Sequence, residues 1–314
     1  MYKDKSIALV IPARNEERLI GPTVDAAPEL IDHIYVIDDG STDATADVVR
    51  QRAARDARIE LVQHEGNIGV GQAIITGYRK ASAAGFDITV VVGGDNQMPL
   101  DQVTDLLDPV VAGQVDYAKG NRFLTPDFRL EDMPWTRLFP NAVISALTKV
   151  ASGFYKIFDV VDGYTAINKR AIDMVDWSKA WKAYGYPMDY LVRLNAYGLR
   201  VRDVPRRPIY LEGERQSQIK GFQYMMQVSP MLVRGFFWRL FAKYLIRDFH
   251  PLFFFFVFGM TFLPLGVLYG FFLIYQQWVG IGVSGPRAVM CALLIIMGIQ
   301  FLLFAMLYDM QESE

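Results

Sequence analysis

Short apolar runs alternate with amphipathic segments along the first third of the chain. The runs are rich in Val and Ile, as in strands that are covered on both faces of a sheet. Strands are predicted over residues 6–11, 33–37, 59–62 and 90–92. Helices are predicted over about 43–55, from the glycine-rich segment after the third strand to about Gly85, and over 100–113. Strands that alternate with helices form a parallel sheet with helices on both faces. The pattern therefore predicts an α/β domain with a mostly parallel, Rossmann-like sheet.

Beyond residue 113 the pattern becomes less regular, although strands and helices are still recognisable. The predicted strands cover residues 116–120, 200–204 and 209–211, and Pro205 and Pro208 limit the last two to edge positions. One helix is predicted over 134–152 with a break at Pro140, and another begins near Pro187 and ends at Gly198.

The pattern changes again near residue 250, where charged residues nearly vanish. Residues 252–275 and 288–308 are apolar runs long enough to cross a bilayer of about 30 Å as helices. The short loop between them has only Arg287, whereas four basic residues precede the first run: Arg234, Arg239, Lys243 and Arg247. The positive-inside rule then predicts a transmembrane hairpin with both chain ends in the cytosol.

The segment before the hairpin is expected to contact the membrane surface. Between residues 222 and 245, aromatic residues and methionines mix with basic residues, which is typical of amphipathic helices at a bilayer interface; ordinary core helices are the alternative. The predicted organisation is a cytosolic catalytic domain over 1–215, interfacial amphipathic helices over 216–249, and a hairpin with a short tail over 250–314.

Composition narrows the class of protein further. The 314 residues carry a formal net charge of −2, which argues against a nucleic-acid binder. Cys291 is the only cysteine, so no intramolecular disulfide or cysteine metal cluster is expected. Residues 1–5 contain no apolar signal-peptide core, so the catalytic domain is expected to face the cytoplasm. The sequence leaves a homo-oligomer open.

The strand around Val90 ends in a sequence that suggests a binding site. Gly93 and Gly94 allow a close approach of the backbone, and Asp95 and Gln97 follow in the turn before Pro99. Because ligands of open α/β sheets bind beyond the carboxyl ends of the strands, these side chains are placed where a metal-bound diphosphate would lie. The alternative is that Asp95 caps the next helix or closes the turn.

A second glycine-rich segment, from Gly66 to Gly71, suggests a dinucleotide site only at first sight. It follows the third strand rather than the first and lacks the third glycine of the usual fingerprint. No acidic residue stands at the spacing that a ribose contact needs, so a nicotinamide enzyme is not favoured.

Four segments of the chain form an ordered set of motifs: Ile11-Pro12-Ala13-Arg14-Asn15-Glu16-Glu17, Asp38-Asp39-Gly40-Ser41-Thr42-Asp43, Asn67-Ile68-Gly69-Val70-Gly71-Gln72-Ala73 and Gly94-Asp95-Asn96-Gln97-Met98-Pro99. Three shorter segments follow: Gly120-Asn121-Arg122, Asp159 to Tyr164, and Ser217 to Lys220. Together they resemble the family 2 glycosyltransferases with a GT-A fold, and among them the dolichyl- or polyprenyl-phosphate sugar synthases. The resemblance covers about the first 220 residues.

The resemblance implies a role for particular residues. The base and ribose of a nucleotide sugar, a UDP- or GDP-sugar, would be held by Pro12, Arg14, Glu16 and Asp39. Asp95 and Gln97 would bind a divalent cation, Mg²⁺ or Mn²⁺, together with the diphosphate. This chain departs from the family pattern at two positions, with Gly93 where a first Asp would stand and Met98 where a His is usual.

The acceptor implied by the resemblance is a polyprenyl or dolichyl phosphate, glycosylated with inversion at the anomeric carbon. A phosphate monoester is mostly a dianion at pH 7 and needs no strong base to act as a nucleophile. The residues expected to bind this lipid phosphate are Arg122, Arg215, Ser217 and Lys220. Asp159 and Asp189 are the candidate bases if the acceptor is instead a hydroxyl of a lipid-linked glycan, and a membrane protein that binds nucleotide sugars without turnover is the third alternative.

Overall fold

The protein is described by a computed structural model over residues 1–124, 135–209 and 221–312. It divides into two compact units, Met1–Phe236 and Phe237–Glu314. The boundary lies near residue 236, whereas the sequence predicts that the catalytic domain ends near 215. The first unit contains the predicted α/β domain, and the second contains the predicted hairpin.

The first four strands alternate with helices, as the sequence predicts. In chain order these elements are β1 Ile7–Ala13, α1 Ile20–Asp25, β2 His33–Asp38, α2 Thr45–Ala53, β3 Ile59–Gln63, α3 Val70–Ala83 and β4 Ile88–Val91. Leu9, Val36 and Val90 in the central strands are fully buried. Burying a side chain of this size contributes roughly 1.5–3 kcal/mol, which explains why an apolar run fixes the position of each strand.

The later elements complete the sheet and are less regular. They are α4 Val103–Val111, β5 Tyr117–Asn121, α5 Trp135–Ser152, β6 Thr165–Asn168, α6 Lys169–Met174, α7 Tyr186–Ala196, β7 Val201–Pro205 and α8 Gly221–Phe241. The predicted break of α5 at Pro140 is wrong: one helix runs from Trp135 to Ser152, because a proline inside a helix can bend it without ending it. The predicted strand over 209–211 lies mostly outside the described residues.

The described residues form a seven-stranded sheet in the order β3-β2-β1-β4-β6-β5-β7. All pairings are parallel except the two made by β6, which runs antiparallel to β4 and to β5. Thr165 at the start of β6 lies opposite Val91 at the end of β4. The segment that precedes β6, including Asp159 and Asp162, therefore reaches the same edge of the sheet as the loops after β1, β2 and β4.

The second unit contains two long helices, α9 Pro251–Trp278 and α10 Gly285–Gln311. Their most apolar windows have mean hydropathies of 2.1 and 2.6, so each is long and apolar enough to cross a bilayer. Small residues let the helices pack closely; a Cβ on Gly298 would lie 2.5 Å from the backbone nitrogen of Leu263. The pair is therefore a candidate transmembrane hairpin.

A buried ion pair stands at the end of this hairpin. Arg239, in the last turn of α8, donates two hydrogen bonds to Asp309 near the end of α10, at 2.7 and 2.8 Å. The Tyr244 hydroxyl donates to the same carboxylate at 2.5 Å. All three residues are almost fully buried, so the charges are neutralised within the unit.

Candidate functional site

The loops after β1 and β2 are linked to each other by hydrogen bonds. The Asn15 side-chain oxygen accepts the backbone N–H of Thr42 at 2.9 Å, while the Asn15 backbone N–H donates to the Ser41 hydroxyl at 3.0 Å. The backbone N–H of Glu16 donates to the Thr45 hydroxyl at 2.8 Å. Asn15 has a φ of 55°, which asparagine tolerates better than most residues. These bonds give the two loops one fixed arrangement.

The predicted nucleotide-binding residues of the first loop lie on the rim of this arrangement. Pro12 is half-buried at the end of β1, Arg14 is exposed, and Glu16 is half-buried. The end of β1 also anchors two neighbouring segments, because Ala13 and Pro12 accept the backbone N–H groups of Asp39 and Gly94 at 2.9 and 3.2 Å. The predicted nucleotide and metal segments are therefore brought together.

Asp39 is buried and holds the glycine-rich loop. Its carboxylate accepts the backbone N–H groups of Ile68 and Gly69 at 3.0 and 2.8 Å, and a ring nitrogen of His64 lies 2.9 Å away. A carboxylate has about four lone-pair positions, and these three contacts use most of them. Asp39 thus has a structural role, and its contact with a nucleotide stays a prediction. The contact with His64 is not predicted from the sequence.

The glycine-rich loop packs against protein backbone rather than forming a phosphate cradle. The Lys182 carbonyl accepts the backbone N–H groups of Gly71 and Gln72 at 2.8 and 3.3 Å, at the start of α3. Gly69 has a φ of 103°, and a Cβ there would lie 2.3 Å from the same carbonyl oxygen. Because the N–H groups that would bind a phosphate are already paired, this geometry agrees with the argument against a dinucleotide site.

Asp95 closes a tight turn at the carboxyl end of β4. Its carboxylate accepts the backbone N–H of Gln97 at 3.3 Å, and Asn96 between them has a φ of 54°. The next helical turn has no side-chain cap, so Asp95 does not act as a helix cap. Met98 folds back, and its sulfur accepts the Gly93 N–H at 3.1 Å. Burial raises the pKa of Asp95.

These residues fit a divalent cation that also contacts substrate phosphates. A nearby cation would offset the burial that disfavours the ionised form of Asp95. Gln97 follows Asp95 by two residues and could supply an amide oxygen to the same cation. Gly93 lies directly beside Asp95, since a Cβ on Gly93 would lie 2.9 Å from an oxygen of the Asp95 carboxylate. The described residues contain no cluster of three or more His, Cys, Asp or Glu suited to a metal. Asp95 and Gln97 would therefore depend on diphosphate oxygens to complete the coordination.

Two buried carboxylates lie beside this turn, and both are paired with arginines. Arg122 donates to Asp159 at 2.7 and 3.0 Å, and Arg206 donates to Asp162 at 2.6 Å. Burial opposes ionisation of Asp159, but the hydrogen bond from Arg122 and the charges of Arg122 and Lys119 outweigh it, so the pKa of Asp159 is lowered. The predicted residues Arg122 and Asp159 thus form one ion pair.

Asp189 lies in the first turn of α7, where it is also paired. Its carboxylate accepts hydrogen bonds from Arg193 at 2.7 Å and from the Trp181 backbone N–H at 2.8 Å. Arg193 also donates to the carbonyls of Asp176 and Lys179. Asp189 therefore fixes the segment that carries the Lys182 carbonyl.

The structure brings together most of the predicted residues and adds others. Asp39, Asp95, Gln97, Arg122 and Asp159 share the carboxyl edge of the sheet. Three predicted phosphate-binding residues, Arg215, Ser217 and Lys220, lie outside the described residues. His64 and Arg206 are not predicted from the sequence, and Asp162 is predicted only as part of the motif from Asp159 to Tyr164.

Comparisons with known proteins agree with this fold. The sequence model of Glycosyl transferase family 2 matches residues 8–175. A UDP-N-acetylglucosamine–dolichyl-phosphate N-acetylglucosaminyltransferase of Methanococcus voltae is 30% identical over 71% of this chain and 92% of its own length. A polyprenol monophosphomannose synthase of Mycolicibacterium smegmatis is 28% identical over 72% and 87% of the two chains.

A solved structure supports the fold independently. Glucosyl-3-phosphoglycerate synthase of Mycobacterium tuberculosis, crystallised with Mn²⁺, UDP and glucosyl-3-phosphoglycerate, superimposes with a TM-score of 0.55. The alignment covers 74% of this chain and 80% of that one at 20% identity. The predicted GT-A fold and the predicted sugar-transferring activity are confirmed. The chain belongs to Glycosyl transferase family 2 and is an enzyme that transfers sugar.

Proposed function

We propose that this enzyme transfers a sugar from a UDP- or GDP-sugar to a polyprenyl or dolichyl phosphate, with inversion at the anomeric carbon. The observation that carries the proposal is that the candidate bases are already ion-paired. The candidate bases Asp159 and Asp189 each accept a hydrogen bond of 2.7 Å from an arginine, and Asp162 accepts one at 2.6 Å. A hydroxyl acceptor requires a general base, whereas a phosphate dianion does not.

A phosphate acceptor makes positioning the main task of the protein. The second pKa of a phosphate monoester is about 6, so at pH 7 the group is mostly the dianion. Arg122 is one third exposed at the edge of the site, while Asp159 holds the orientation of its guanidinium. This exposed edge suits a phosphate oxygen, because arginine N–H groups form charge-assisted hydrogen bonds with phosphate.

The donor would occupy the linked loops after β1 and β2. Pro12, Arg14, Glu16 and Asp39 would hold the base and ribose, and the diphosphate would extend toward Asp95. When bound, Mg²⁺ or Mn²⁺ supplies charge neutralisation for the departing nucleoside diphosphate. Asp95 and Gln97 would hold that cation, while the arginines of the site would stabilise the negative charge that develops on the departing diphosphate.

The membrane segments suit an acceptor that is embedded in lipid. On α8, Phe222, Met226 and Val233 are more than half exposed, whereas Val228 and Leu232 are buried. An exposed apolar stripe of this kind suits the bilayer interface better than the core of a soluble domain. The two long apolar helices that follow could cross the bilayer, and the basic residues before them favour the cytoplasmic side. We therefore propose an integral membrane enzyme whose catalytic domain faces the cytoplasm. Arg215, Ser217 and Lys220 would then meet the lipid phosphate.

The relatives point in the same direction. The Methanococcus protein is named for a dolichyl-phosphate acceptor and the Mycolicibacterium protein for a polyprenol monophosphomannose product. The two relatives differ in sugar, so they support the class of acceptor rather than one donor.

A donor screen tests the proposal. The full-length enzyme in detergent is incubated with polyprenyl phosphate, Mg²⁺ and one radiolabelled UDP- or GDP-sugar at a time, and the lipid products are separated. We expect one donor class to label the lipid, and Asp95→Asn to lose the product. Asp101→Asn is the matched control, because this carboxylate is exposed and pairs only with Arg207 among the described residues. Absence of a labelled lipid with every donor would contradict the proposal.

A further inference from the structure

Arg206 is a buried cation that directly contacts the metal-binding turn. It follows β7, and only 6% of its surface is exposed. Its backbone N–H donates to the carbonyl of Asn121 at 3.1 Å, which fixes its Cα at the end of β5. A Cβ on Gly120 would lie 3.2 Å from the Arg206 side chain, so the guanidinium reaches the site by crossing this glycine.

The guanidinium connects two parts of the site. Its Nε donates to Asp162 at 2.6 Å, and one terminal nitrogen donates to the backbone carbonyl of Gln97 at 3.1 Å. The Asp162 side chain is fully buried, and its other oxygen accepts the Tyr164 N–H at 2.9 Å. The partner that orients Arg206 is therefore fixed by the start of β6.

Other contacts hold the ends of the turn that Arg206 contacts: the Gly94 N–H donates to the Pro12 carbonyl at 3.2 Å and the Gly93 N–H to the Met98 sulfur at 3.1 Å. Asn96 adopts a left-handed φ of 54°, and the contact between Asp95 and the Gln97 N–H is long, at 3.3 Å. The Tyr164 hydroxyl donates to the Pro99 carbonyl at 3.0 Å, which fixes the residue after the turn. The bond from Arg206 fixes Gln97 itself, so it restrains the residue whose side chain would join Asp95 at the cation.

We propose that Arg206, oriented by Asp162, is a positioning residue that holds the Asp95–Gln97 turn in its metal-binding conformation. This inference rests on the metal role assigned in the proposed function. With Gly93 in place of a second carboxylate, the site has few ligands, so their placement decides its affinity. Removing an outer partner of a metal ligand typically weakens metal binding about 10–100-fold.

The test measures Mn²⁺ binding directly, by loss of the free Mn²⁺ electron paramagnetic resonance signal. The full-length protein in detergent is titrated with Mn²⁺ in the presence of UDP or GDP. We expect Arg206→Met to raise the Kd for Mn²⁺ at least tenfold and Arg206→Lys to raise it less, because lysine can still pair with Asp162. Arg207→Met is the matched control, because Arg207 is exposed and pairs with Asp101. The Kd of this variant for Mn²⁺ should stay within twofold of the wild-type value.

Thermal unfolding of each variant separates positioning from folding. A purely structural role would lower the unfolding temperature and leave the Mn²⁺ Kd unchanged below it. If Arg206→Met does not fold, Arg206→Lys and Asp162→Asn provide the test, and an unchanged Kd in both overturns the inference. Wild-type protein that binds no Mn²⁺ with either nucleotide also overturns it. Mn²⁺ binding as expected but no lipid product would instead contradict the proposed function alone.

Discussion

Replacing Asp189 separates a phosphate acceptor from a hydroxyl acceptor. We infer that Asp189 is a structural partner of Arg193 and of the Trp181 N–H and not a general base. Asp189→Asn keeps an oxygen that can accept both hydrogen bonds but loses the charge. If Asp189 were the base, the same change would remove a contribution of about 10²–10⁴-fold to the rate.

The structure gives the size of the expected effect on stability. Removing one partner of a buried ion pair costs about 3–5 kcal/mol. Asp189→Ala should lower the free energy of unfolding by about 3 kcal/mol, near the lower end of this range, because Arg193 keeps its hydrogen bonds to the carbonyls of Asp176 and Lys179. For a domain of this size that corresponds to a decrease of about 6–12 °C in unfolding temperature. Asp189→Asn should cost about 1–2 kcal/mol, because the ion pair with Arg193 becomes a hydrogen bond from the same cation to a neutral amide oxygen.

The assay combines initial rates with thermal unfolding. Rates with polyprenyl phosphate are measured well below the unfolding temperature of each variant, and Asp173→Asn is the control because this carboxylate is half exposed and pairs with Lys169. We expect Asp189→Asn to retain kcat within about threefold, far from the loss expected of a missing base. A loss above 100-fold with an unchanged unfolding temperature would refute the structural assignment and favour a hydroxyl acceptor.

Two further predictions concern the metal, and one concerns the buried ion pair of Arg239 and Asp309. EDTA should abolish transfer and Mg²⁺ or Mn²⁺ should restore it; full activity in EDTA would contradict the role of Asp95. Gly93→Asp should tighten Mn²⁺ binding, about tenfold for a gain of about 1.4 kcal/mol, because the new side chain would lie beside Asp95; unchanged or weaker binding in the same titration would contradict this. In the hairpin, Arg239→Met or Asp309→Leu alone should cost about 3–5 kcal/mol and the double variant much less, as measured by unfolding in detergent; additive losses would show that the two side chains are not coupled.

The sequence predicts those parts of the fold in which burial determines the local pattern. Leu9, Val36 and Val90 lie in strands that are covered on both faces, so their positions are visible as apolar runs. Neither β6 nor its direction is predicted from the sequence, because a strand of four residues has little periodicity and nothing in it identifies the neighbouring strand. The start of β6 at the carboxyl edge, with Asp162 just before it, is therefore known only from the structure.

The same limit applies to the site. The spacing of Asp189 and Arg193 on one helix face could have indicated their ion pair from the sequence. Asp162 and Arg206 are far apart in the chain, and only the fold brings them into contact. The nucleotide and lipid-phosphate contacts assigned from the family resemblance, including those of Arg215, Ser217 and Lys220, stay predictions.

Competition between a phosphorylated and an unphosphorylated lipid tests whether the acceptor is a phosphate. Wild-type enzyme receives its nucleotide sugar with equal amounts of polyprenyl phosphate and a polyprenol of a different chain length, and the lipid products are identified by mass. Because the phosphate dianion needs no base, we expect sugar on the phosphorylated lipid alone. Sugar on the polyprenol in a comparable amount would show that the acceptor is a hydroxyl.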